Sequence, residues 1–412
     1  MSEKIVVAGA GIVGVSTAIW LQRAGYEVML VDKEGPAAGT SHGNAGVLAA
    51  ASITPVTMPG LIGKAPLMLL DRNSPLFLRL GYLPRLIPFL GPYLSHCNER
   101  DVRRYADGMT PLIYDTVAQH RALAAGTGAE SFIEDGDYCF GYASRAEFKA
   151  DEFAWKLRNE RGIAYEICSG EEYAETDPFY AGNFDTVVRC ANHGRISDPG
   201  AYVKALVEHF VSEGGGFIRA AVSDIEINES GRAGLVTDEG PIGGDKIALT
   251  TGVWSKPLLT KFGLSIPLET ERGYHIELVA PDSYPKNSMM VVSGKFVVTP
   301  MRGRIRCAGI VEFAGLKTAS RQQPLDMLKR RIKQLFPNLK YREQSEWLGH
   351  RPALTDSLPM IGRVTDEAEL FTAFGHQHLG LTGGAKTGRI MADLMSGAQM
   401  TVNVIPYRTD RF

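Results

Sequence analysis

The chain has 412 residues, a length that suggests about two domains rather than one ordinary core. Hydrophobic residues make up 44% of it and charged residues 22%, as is usual for a globular protein. A formal net charge of -2 offers no concentrated basic surface, which argues against nucleic-acid binding. The five cysteines form no C-x-x-C pair, and their odd number does not fit a fully paired disulfide framework. A reducing compartment, and hence a cytoplasmic location, is the expectation.

Residues 5–34 contain the most informative pattern. An apolar run leads into Gly9, Gly11 and Gly14 in the spacing G-x-G-x-x-G, and a second apolar run ends at Asp32. This pattern predicts a strand, a helix and a second strand that together hold a dinucleotide. Gly9 permits a tight turn, Gly11 lets the backbone approach a pyrophosphate, and Gly14 lets helix and strand pack closely. A carboxylate at Asp32 can accept from both hydroxyls of an adenosine ribose and disfavours a 2′-phosphate, which favours FAD or NAD over NADP.

Residues 53–94 are apolar, but prolines and charged residues interrupt them every few positions. No uninterrupted run reaches the roughly 18 residues that a membrane-spanning helix needs, so a spanning segment is excluded. We favour short helices that cover a substrate cavity. A shallow, peripheral contact with the inner face of the cell membrane stays open as the alternative.

The rest of the chain alternates helices and strands. Helices are predicted over 101–125 and 145–161, and a third is capped by Asp198, has Pro199 at its first position and ends at glycines 214–216. Strands are predicted over 217–227 and at 246–250, where the chain runs into a glycine turn. Alternating strands follow from about 257 to 341 with a hairpin tip at Arg302-Gly303, and a last helix ends near Ser396.

Taken together, the chain resembles, over essentially its whole length, the family of FAD-dependent amine and amino-acid oxidoreductases that includes D-amino-acid oxidase, glycine oxidase and bacterial D-amino-acid dehydrogenase. The resemblance rests on GAGIVG with Asp32, GTSHGNAGVL at 39–48, TTGVWS at 250–255, TERGYH at 270–275, GHRPALTDSLPMIGR at 349–363 and FGHQHLGLTGG at 374–384. Several motifs, notably GNAG, TERGYH and GHQHLG, coincide with the glyphosate oxidoreductase branch.

The resemblance implies a mixed α/β fold, in which a Rossmann-like FAD-binding domain is interleaved with an antiparallel-sheet substrate domain. We assign residues 1–60, 195–257 and 345–412 to the first domain, and 61–194 and 258–344 to the second. The cofactor contacts that it implies are Gly9, Ala10, Gly11, Ile12, Val13, Gly14, Asp32, Lys33, Ser41, His42, Gly43, Asn44, Ala45, Gly46, Val222, Thr251, Gly252, Trp254, Gly375, Gly380, Leu381 and Thr382.

Two of these contacts have a plainer interpretation. The segment around Ser41 is also typical of a simple glycine turn, and Trp254 can be a core residue that serves packing alone. The loop before the last helix has a stronger rationale, because a helix N-terminus there directs positive charge at the pyrimidine end of the flavin, where negative charge collects on reduction.

For the substrate, the resemblance points to Arg351, whose planar guanidinium matches a carboxylate bidentately. The alternative is an arginine buried against the flavin or in an internal ion pair. His378 stands where glycine oxidase has an arginine next to its substrate, so the chain departs from that pattern here. Tyr274 and His275 either line the pocket or are ordinary strand residues. His376 and His378 lack a third ligand nearby, and no metal is expected.

The implied reaction is FAD-dependent oxidative deamination of a D-amino acid, with hydride transfer to flavin N5 and an imine that water hydrolyses to a 2-oxo acid and ammonia. No side-chain base is required when the amine binds neutral. The alternatives are oxidation of an N-substituted glycine such as sarcosine or glyphosate, oxidation of a cyclic imino acid such as cis-4-hydroxy-D-proline, and a flavin subunit of a heteromeric dehydrogenase. A dehydrogenase that passes electrons to a quinone chain is favoured over an oxidase that uses oxygen.

Overall fold

The computed structural model describes residues 3–63, 76–229 and 231–412. A six-stranded sheet, here the nucleotide sheet, contains the G-x-G-x-x-G strand at its centre. Its order is Met360–Arg363, Leu370–Phe374, Lys246–Leu249, Lys4–Ala8, Glu27–Asp32 and Gly216–Arg219, and only the first pair is antiparallel. Parallel strands of this kind carry ligands at their carboxyl ends.

A second, largely antiparallel sheet, here the large sheet, lies beside it. Its main order is Glu343–Leu354, Leu268–Val279, Arg304–Phe313, Phe296–Met301, Ser288–Val291, Ile133–Tyr142, Thr186–Ile196 and Val47–Leu48, with Leu76–Leu78 added beside Arg304–Phe313 and Glu166–Ser169 beside Thr186–Ile196. The predicted α/β architecture with an antiparallel second sheet is therefore confirmed.

The predicted strand over 217–227 is wrong as a single element. Gly216–Arg219 pairs with Glu27–Asp32 in the nucleotide sheet, whereas Val222–Ile227 joins a three-stranded sheet with Ala233–Thr237 and Gly240–Gly243. The chain changes sheets at Ala220 and Ala221. The sequence pattern that predicts a strand continues through these two residues. Only the pairing partners show that one strand ends and another begins there.

The helices of the described residues are Ile12–Arg23 (the first helix), Leu83–Ser95, Glu99–Ile113, Thr116–Ala124, Arg145–Ala150, Glu152–Glu160, Gly170–Thr176, Pro199–Ser212, Ser255–Leu259, Gln322–Leu335 and Gly380–Ser396 (the last helix). The first and last helices pack closely on each other: a Cβ on Gly388 would lie 2.2 Å from Oγ of Ser16. None of the helices in these ranges is long and apolar enough to cross a membrane.

Local signals predicted several boundaries correctly. Asp198 caps its helix by accepting from the Ala201 amide at 3.0 Å, with proline at the first position. Gly303, at a φ of 68°, forms the predicted hairpin tip between Phe296–Met301 and Arg304–Phe313. The helix predicted over 101–125 is two helices, and so is the one over 145–161.

The prediction of strands throughout 257–341 is wrong, because Gln322–Leu335 forms a helix. Its buried Leu325, Leu328 and Ile332 follow a helical spacing that was visible in the sequence. In the apolar segment 53–94, Leu83–Ser95 forms a helix with Pro88 and Pro92 inside it, while residues 64–75, including Lys64, Asp71 and Arg72, lie outside the described residues.

The predicted domain boundary at residue 345 falls within a strand of the large sheet. Glu343–Leu354 pairs with Leu268–Val279 along its whole length, so residues 345–354 belong to the large sheet. The helices Glu99–Ile113 and Thr116–Ala124, predicted within the substrate part, pack on the last helix. The division into two domains is otherwise a prediction that the sheets do not test.

Candidate active site

A cavity lies where the carboxyl ends of the nucleotide-sheet strands approach the large sheet. Of the predicted cofactor residues, those on its wall are Gly9, Gly11, Ile12, Val13, Asp32, Lys33, Ser41, Asn44, Val222, Thr251, Gly252, Trp254, Gly375, Gly380 and Leu381. Residues from five separate segments of the chain thus meet at one cavity. The predicted Ala10, Gly14, His42, Gly43, Ala45, Gly46 and Thr382 are not part of that wall.

The glycines of the first loop have separate structural reasons. Gly9 turns the chain at a φ of 107°, in the left-handed region that favours glycine. A Cβ on Gly14 would lie 1.9 Å from the carbonyl oxygen of Gly9. Gly14 therefore lets the first helix pack against the strand from behind the cavity, as its spacing predicts, and does not itself face a ligand.

The N-terminus of the first helix opens onto the cavity without a side-chain cap from its own N-cap residue, Gly11. Oγ of Ser41, 29 residues away, accepts a hydrogen bond from the Ile12 amide at 3.0 Å. A helix leaves four N–H groups unsatisfied at its start. Ser41 takes one of them, and the positive end of the helix is suited to an anionic pyrophosphate.

The Asp32 carboxylate is held by the main chain. It accepts from Ala10 N at 2.8 Å and from Glu34 N and Gly35 N at 2.9 Å each. Because a carboxylate offers about four acceptor positions, roughly one remains for a ligand rather than the two predicted for a ribose. Nearby, the ammonium of Lys33 lies 4.5 Å from the ring centroid of Trp254 on the same cavity wall.

The N-terminus of the last helix is the second helix end at the cavity. Nε2 of His120 donates to the Leu381 carbonyl at 2.8 Å, and Oγ1 of Thr116 donates to the Thr382 carbonyl at 2.6 Å. Nδ1 of His120 lies 2.9 Å from the Tyr202 hydroxyl. Burial lowers the pKa of His120 to about 4, so its neutral ring fixes this helix end.

The loop 41–46 is held by the large sheet. A Cβ on Gly43 would lie 2.0 Å from the Trp347 ring, and a Cβ on Gly46 would lie 2.7 Å from the Ile196 carbonyl oxygen. These two glycines therefore make room for protein rather than for a flavin. His42 is exposed and lies against the helix Pro199–Ser212, so its predicted place beside the cofactor is wrong for the side chain.

The Arg351 side chain crosses the face of the large sheet. Its Nη1 donates to the Ile310 carbonyl at 3.0 Å and its Nη2 to the Gly309 carbonyl at 3.3 Å. A Cβ on Gly273 would lie 2.2 Å from Nη2, so the guanidinium lies flat on that glycine. Burial lowers the pKa of Arg351 while Glu271 raises it, yet the side chain is only half-buried. Main-chain acceptors thus hold the guanidinium on the face of the large sheet.

Two more groups lie in the electrostatic neighbourhood of Arg351. Burial, with a smaller effect of Arg351, lowers the pKa of His378 to about 4, so its ring is neutral near pH 7. Glu271 is the register partner of Arg351 and is 1% exposed. Its Oε1 accepts from the Tyr93 hydroxyl at 3.1 Å, and burial raises its pKa.

Tyr274 and His275, predicted as pocket residues, lie on opposite faces of one strand. The Tyr274 hydroxyl donates to Glu312 at 2.5 Å within a buried cluster. Nδ1 of His275 donates to the Gly43 carbonyl at 3.1 Å, and its ring stacks on Trp347 at 5.0 Å. Neither side chain is on the cavity wall, which also lacks Arg351 and His378, so a pocket role for Tyr274 and His275 stays a prediction. Adjacent strand residues cannot both face one site.

Sequence reasoning missed several residues of the cavity and its surroundings. Thr250 holds the first loop by donating from Oγ1 to the carbonyls of Ala8 at 2.7 Å and Gly9 at 3.1 Å. Its neighbour Thr251 was predicted, so the TTG motif carried the signal. Glu271 belongs to the TERGYH motif, but no role was predicted for it. The other wall residues missed are Val31, Glu34, Ala38, Gly39, Thr40, Ala220, Ala221, Ser223, Val253, Pro257, Leu258, Pro352, Ala373, Phe374, His376 and Gln377.

The cavity is suited to a dinucleotide. Its wall includes Asp32, Trp254, Gly380 and Pro352, carries two helix N-termini, and leaves Cβ space open at Gly39 and Gly252. No group of three His, Cys, Asp or Glu side chains among residues 3–63, 76–229 and 231–412 is arranged to hold a metal ion. The two helix N-termini suit an extended anionic cofactor.

Comparison with known proteins gives the same assignment. The family model described as FAD dependent oxidoreductase matches residues 4–394. A D-amino-acid oxidase of Bradyrhizobium diazoefficiens is 35% identical over 100% of this chain and 99% of its own length. A D-amino acid dehydrogenase of Rhizobium rhizogenes is 28% identical over 99% and 100%, respectively. The glycine oxidase structure from Geobacillus kaustophilus aligns over 100% of both chains with a TM-score of 0.74 at 19% identity, a likeness of fold.

Proposed function

This chain belongs to the FAD-dependent oxidoreductase family, and we propose that with FAD it oxidatively deaminates a D-amino acid to an imine. Water then hydrolyses the imine to a 2-oxo acid and ammonia. The bound flavin supplies a hydride acceptor, N5, for hydrogen from the substrate α-carbon. The protein contributes position: it holds the α-carbon at the flavin and keeps competing water away.

The observation that carries the proposal is the state of Arg351. Its hydrogen-bond partners among the described residues are two main-chain carbonyls, and it forms no ion pair there with a carboxylate. By contrast, the buried Arg306 pairs with Glu277 at 2.7 Å. A guanidinium without a carboxylate partner retains its charge for an incoming anion, and its planar fork suits a substrate carboxylate.

Glu271 and His378 support the substrate class. Glu271 is a buried acid opposite Arg351 and interacts with it electrostatically, so an acidic and a basic group lie together at this site. His378 is neutral near pH 7 because its pKa is lowered to about 4, and it adds no second cation that would repel the amine. The arrangement favours a compact substrate with a carboxylate and an amine close together.

The residues proposed to hold FAD are those that line the cavity. The two helix N-termini, at Ile12 and Gly380, would face the pyrophosphate and the pyrimidine end, and Asp32 would face the ribose. Ala10, Gly14, His42, Gly43, Ala45, Gly46 and Thr382 would act from behind that wall, through the main chain or through packing.

The test is anaerobic mixing of the FAD-loaded protein with D-amino acids, L-amino acids, N-alkyl glycines and cyclic imino acids, with the flavin absorption band recorded. We expect D-amino acids to bleach the band fastest. Bleaching only by sarcosine, glyphosate or cis-4-hydroxy-D-proline would move the assignment to those substrates. If fully loaded protein is bleached by none of them, the catalytic proposal fails, and co-purifying chains would then favour a flavin subunit of a larger dehydrogenase.

Arg351 is tested with the same assay. Arg351→Met should weaken substrate binding by on the order of 100-fold or more, because the charge-assisted bidentate contact is lost. Arg351→Lys, which keeps the charge but not the fork, should recover only part of it. Equal binding by wild type and Arg351→Met would remove Arg351 from the proposed role.

The electron acceptor is a separate proposal. We favour a quinone-type acceptor over oxygen, with peripheral membrane contact through the apolar segment 53–94, where Ile62 is 55% and Ile87 58% exposed. After anaerobic reduction, a short-chain quinone should restore the flavin band faster than air-saturated buffer does. Binding to vesicles, measured by sedimentation, tests the membrane contact on its own.

A further inference from the structure

The strand that receives the Arg351 guanidinium has an irregular register at that point. Arg272 pairs with Glu312 and Tyr274 with Gly309, so two steps along one strand meet three along the other. The extra residue lies at Ile310 and Val311, opposite Gly273. Such a β-bulge leaves one extra residue without a partner on the opposite strand and bends the bulged strand, and bulges often occur next to active sites.

Ile310 adopts a backbone conformation that its side chain opposes. Its φ is 66°, in the left-handed region, where a β-branched residue is a true outlier. In bulges of this type, a glycine usually occupies the left-handed position. The surrounding structure must therefore impose this conformation, and the Ile310 side chain, 3% exposed, is packed into the core of the large sheet.

The unusual conformation directs two carbonyl groups at one guanidinium. The Ile310 and Gly309 carbonyls accept from Nη1 at 3.0 Å and Nη2 at 3.3 Å of Arg351. Gly273, opposite the bulge, has no Cβ and so leaves the sheet face open beneath the guanidinium. Neutral acceptors orient the guanidinium without cancelling its charge, which a carboxylate partner would do.

We propose that the Ile310 bulge is a positioning device for substrate binding: its left-handed backbone, with Gly273 opposite, fixes the orientation in which Arg351 meets the substrate carboxylate. Ile310 acts through Arg351 and does not touch the substrate. This inference rests on the proposed function and deepens it, because it assigns the affinity of the site to a backbone conformation.

The test compares two changes that both remove the Ile310 side chain. Deletion of Ile310 restores a two-to-two register with the flanking pairs kept, whereas Ile310→Gly keeps the bulge in a residue that tolerates positive φ. The substrate used is the one that bleaches the flavin of the wild-type protein in the anaerobic mixing experiment. The deletion should raise its dissociation constant at least tenfold, with a smaller change in the bleaching rate at saturating substrate. Ile310→Gly should stay within about threefold of wild type.

Crystal structures of both FAD-loaded variants provide a readout that needs no substrate. Arg351 should leave Gly273 in the deletion variant and stay in Ile310→Gly. If the deletion variant does not fold, Gly273→Ala replaces it, because its Cβ would occupy the place of the guanidinium and should cause the same loss of affinity. Gly243→Ala, where a Cβ meets nothing within 4 Å, is the control.

The outcomes separate the two proposals. The bulge inference alone is overturned if Arg351→Met loses binding while the deletion variant or Gly273→Ala binds substrate with wild-type affinity. The same holds if Arg351 has not moved in the structures of those variants. If Arg351→Met binds substrate as well as wild type does, the proposed function is what fails. Equal losses in Ile310→Gly and the deletion would assign the effect to the lost side chain and also overturn the inference.

Discussion

His120 and Leu381 are joined by a hydrogen bond of 2.8 Å, from the ring Nε2 to the main-chain carbonyl. A carbonyl oxygen can only accept, so this bond places the proton on Nε2 and leaves Nδ1 to accept from the Tyr202 hydroxyl. His120 is completely buried, and it thus ties the start of the last helix to Thr116–Ala124.

This bond predicts an acid-sensitive stability. The pKa of His120 falls from 6.5 to about 4 on folding, so between those values the unfolded chain binds more protons than the folded one. The contribution of His120 to the free energy of unfolding should be complete above pH 6.5. It should decrease as the pH falls toward 4, by up to about 3 kcal/mol in total. In denaturant titrations, His120→Gln, which keeps a donor for Leu381, should reduce that slope by about one proton; an unchanged slope would contradict the assignment.

Gly14 predicts a steric effect on folding and cofactor retention. A Cβ there would lie 1.9 Å from the Gly9 carbonyl oxygen, so Gly14→Ala should push the first helix away from its strand. We expect a loss of about 1–3 kcal/mol in the free energy of unfolding, together with weaker FAD retention. Gly39→Ala is the matched control, since it alters the same cavity where a Cβ meets nothing within 4 Å. Similar thermal unfolding of the two variants would argue against close packing at Gly14.

The position of Glu271 predicts that its neutralisation strengthens the binding of a simple carboxylate. Its buried carboxyl group lies opposite Arg351 and, in its ionised form, offsets the positive potential that attracts a substrate carboxylate. Glu271→Gln should tighten the binding of a carboxylate that lacks an amine, such as propionate, on the order of tenfold. Titration of the flavin spectrum measures this, with propionamide as the uncharged control. Weaker propionate binding in the variant would show that Glu271 supports Arg351 instead of opposing it.

The contacts of Arg306 predict that its loss weakens both the stability of the fold and FAD binding, whereas loss of Arg304 weakens stability alone. Arg306 pairs with Glu277 at 2.7 Å and donates from Nη1 to the carbonyls of His42, at 3.0 Å, and Asn44, holding the loop 41–46. Arg304 shares Glu277 but otherwise bonds Asp198 and the Arg302 carbonyl. Arg306→Met should lower the free energy of unfolding by about 3–5 kcal/mol and weaken FAD binding. Arg304→Met should lose stability with little change in FAD affinity, as measured by reconstitution of the apoprotein, and equal FAD losses would argue against the loop anchor.

The features predicted from sequence are those whose cause lies within a few residues. The glycine spacing predicts the turn at Gly9, the end of the apolar run places Asp32 at the close of its strand, and Asp198-Pro199 predicts a helix start. Each depends on local geometry: a positive φ, the carboxyl end of a strand or an unsatisfied N–H group. The glycine-rich motifs that carried the family resemblance also brought most of the proposed cofactor residues to one cavity.

Contacts between distant strands decided the rest. The sequence by itself determined that a nucleotide loop and an acidic strand end exist, because these follow from residue type and local spacing, whereas Arg351 was predicted only through the family resemblance. Only the tertiary structure decided that Tyr274 and His275 have separate buried partners on opposite faces of one strand, that Gly43 makes room for Trp347 and that a left-handed Ile310 receives Arg351. Strand register and bulges set which face each side chain takes, and they depend on pairing partners dozens of residues away.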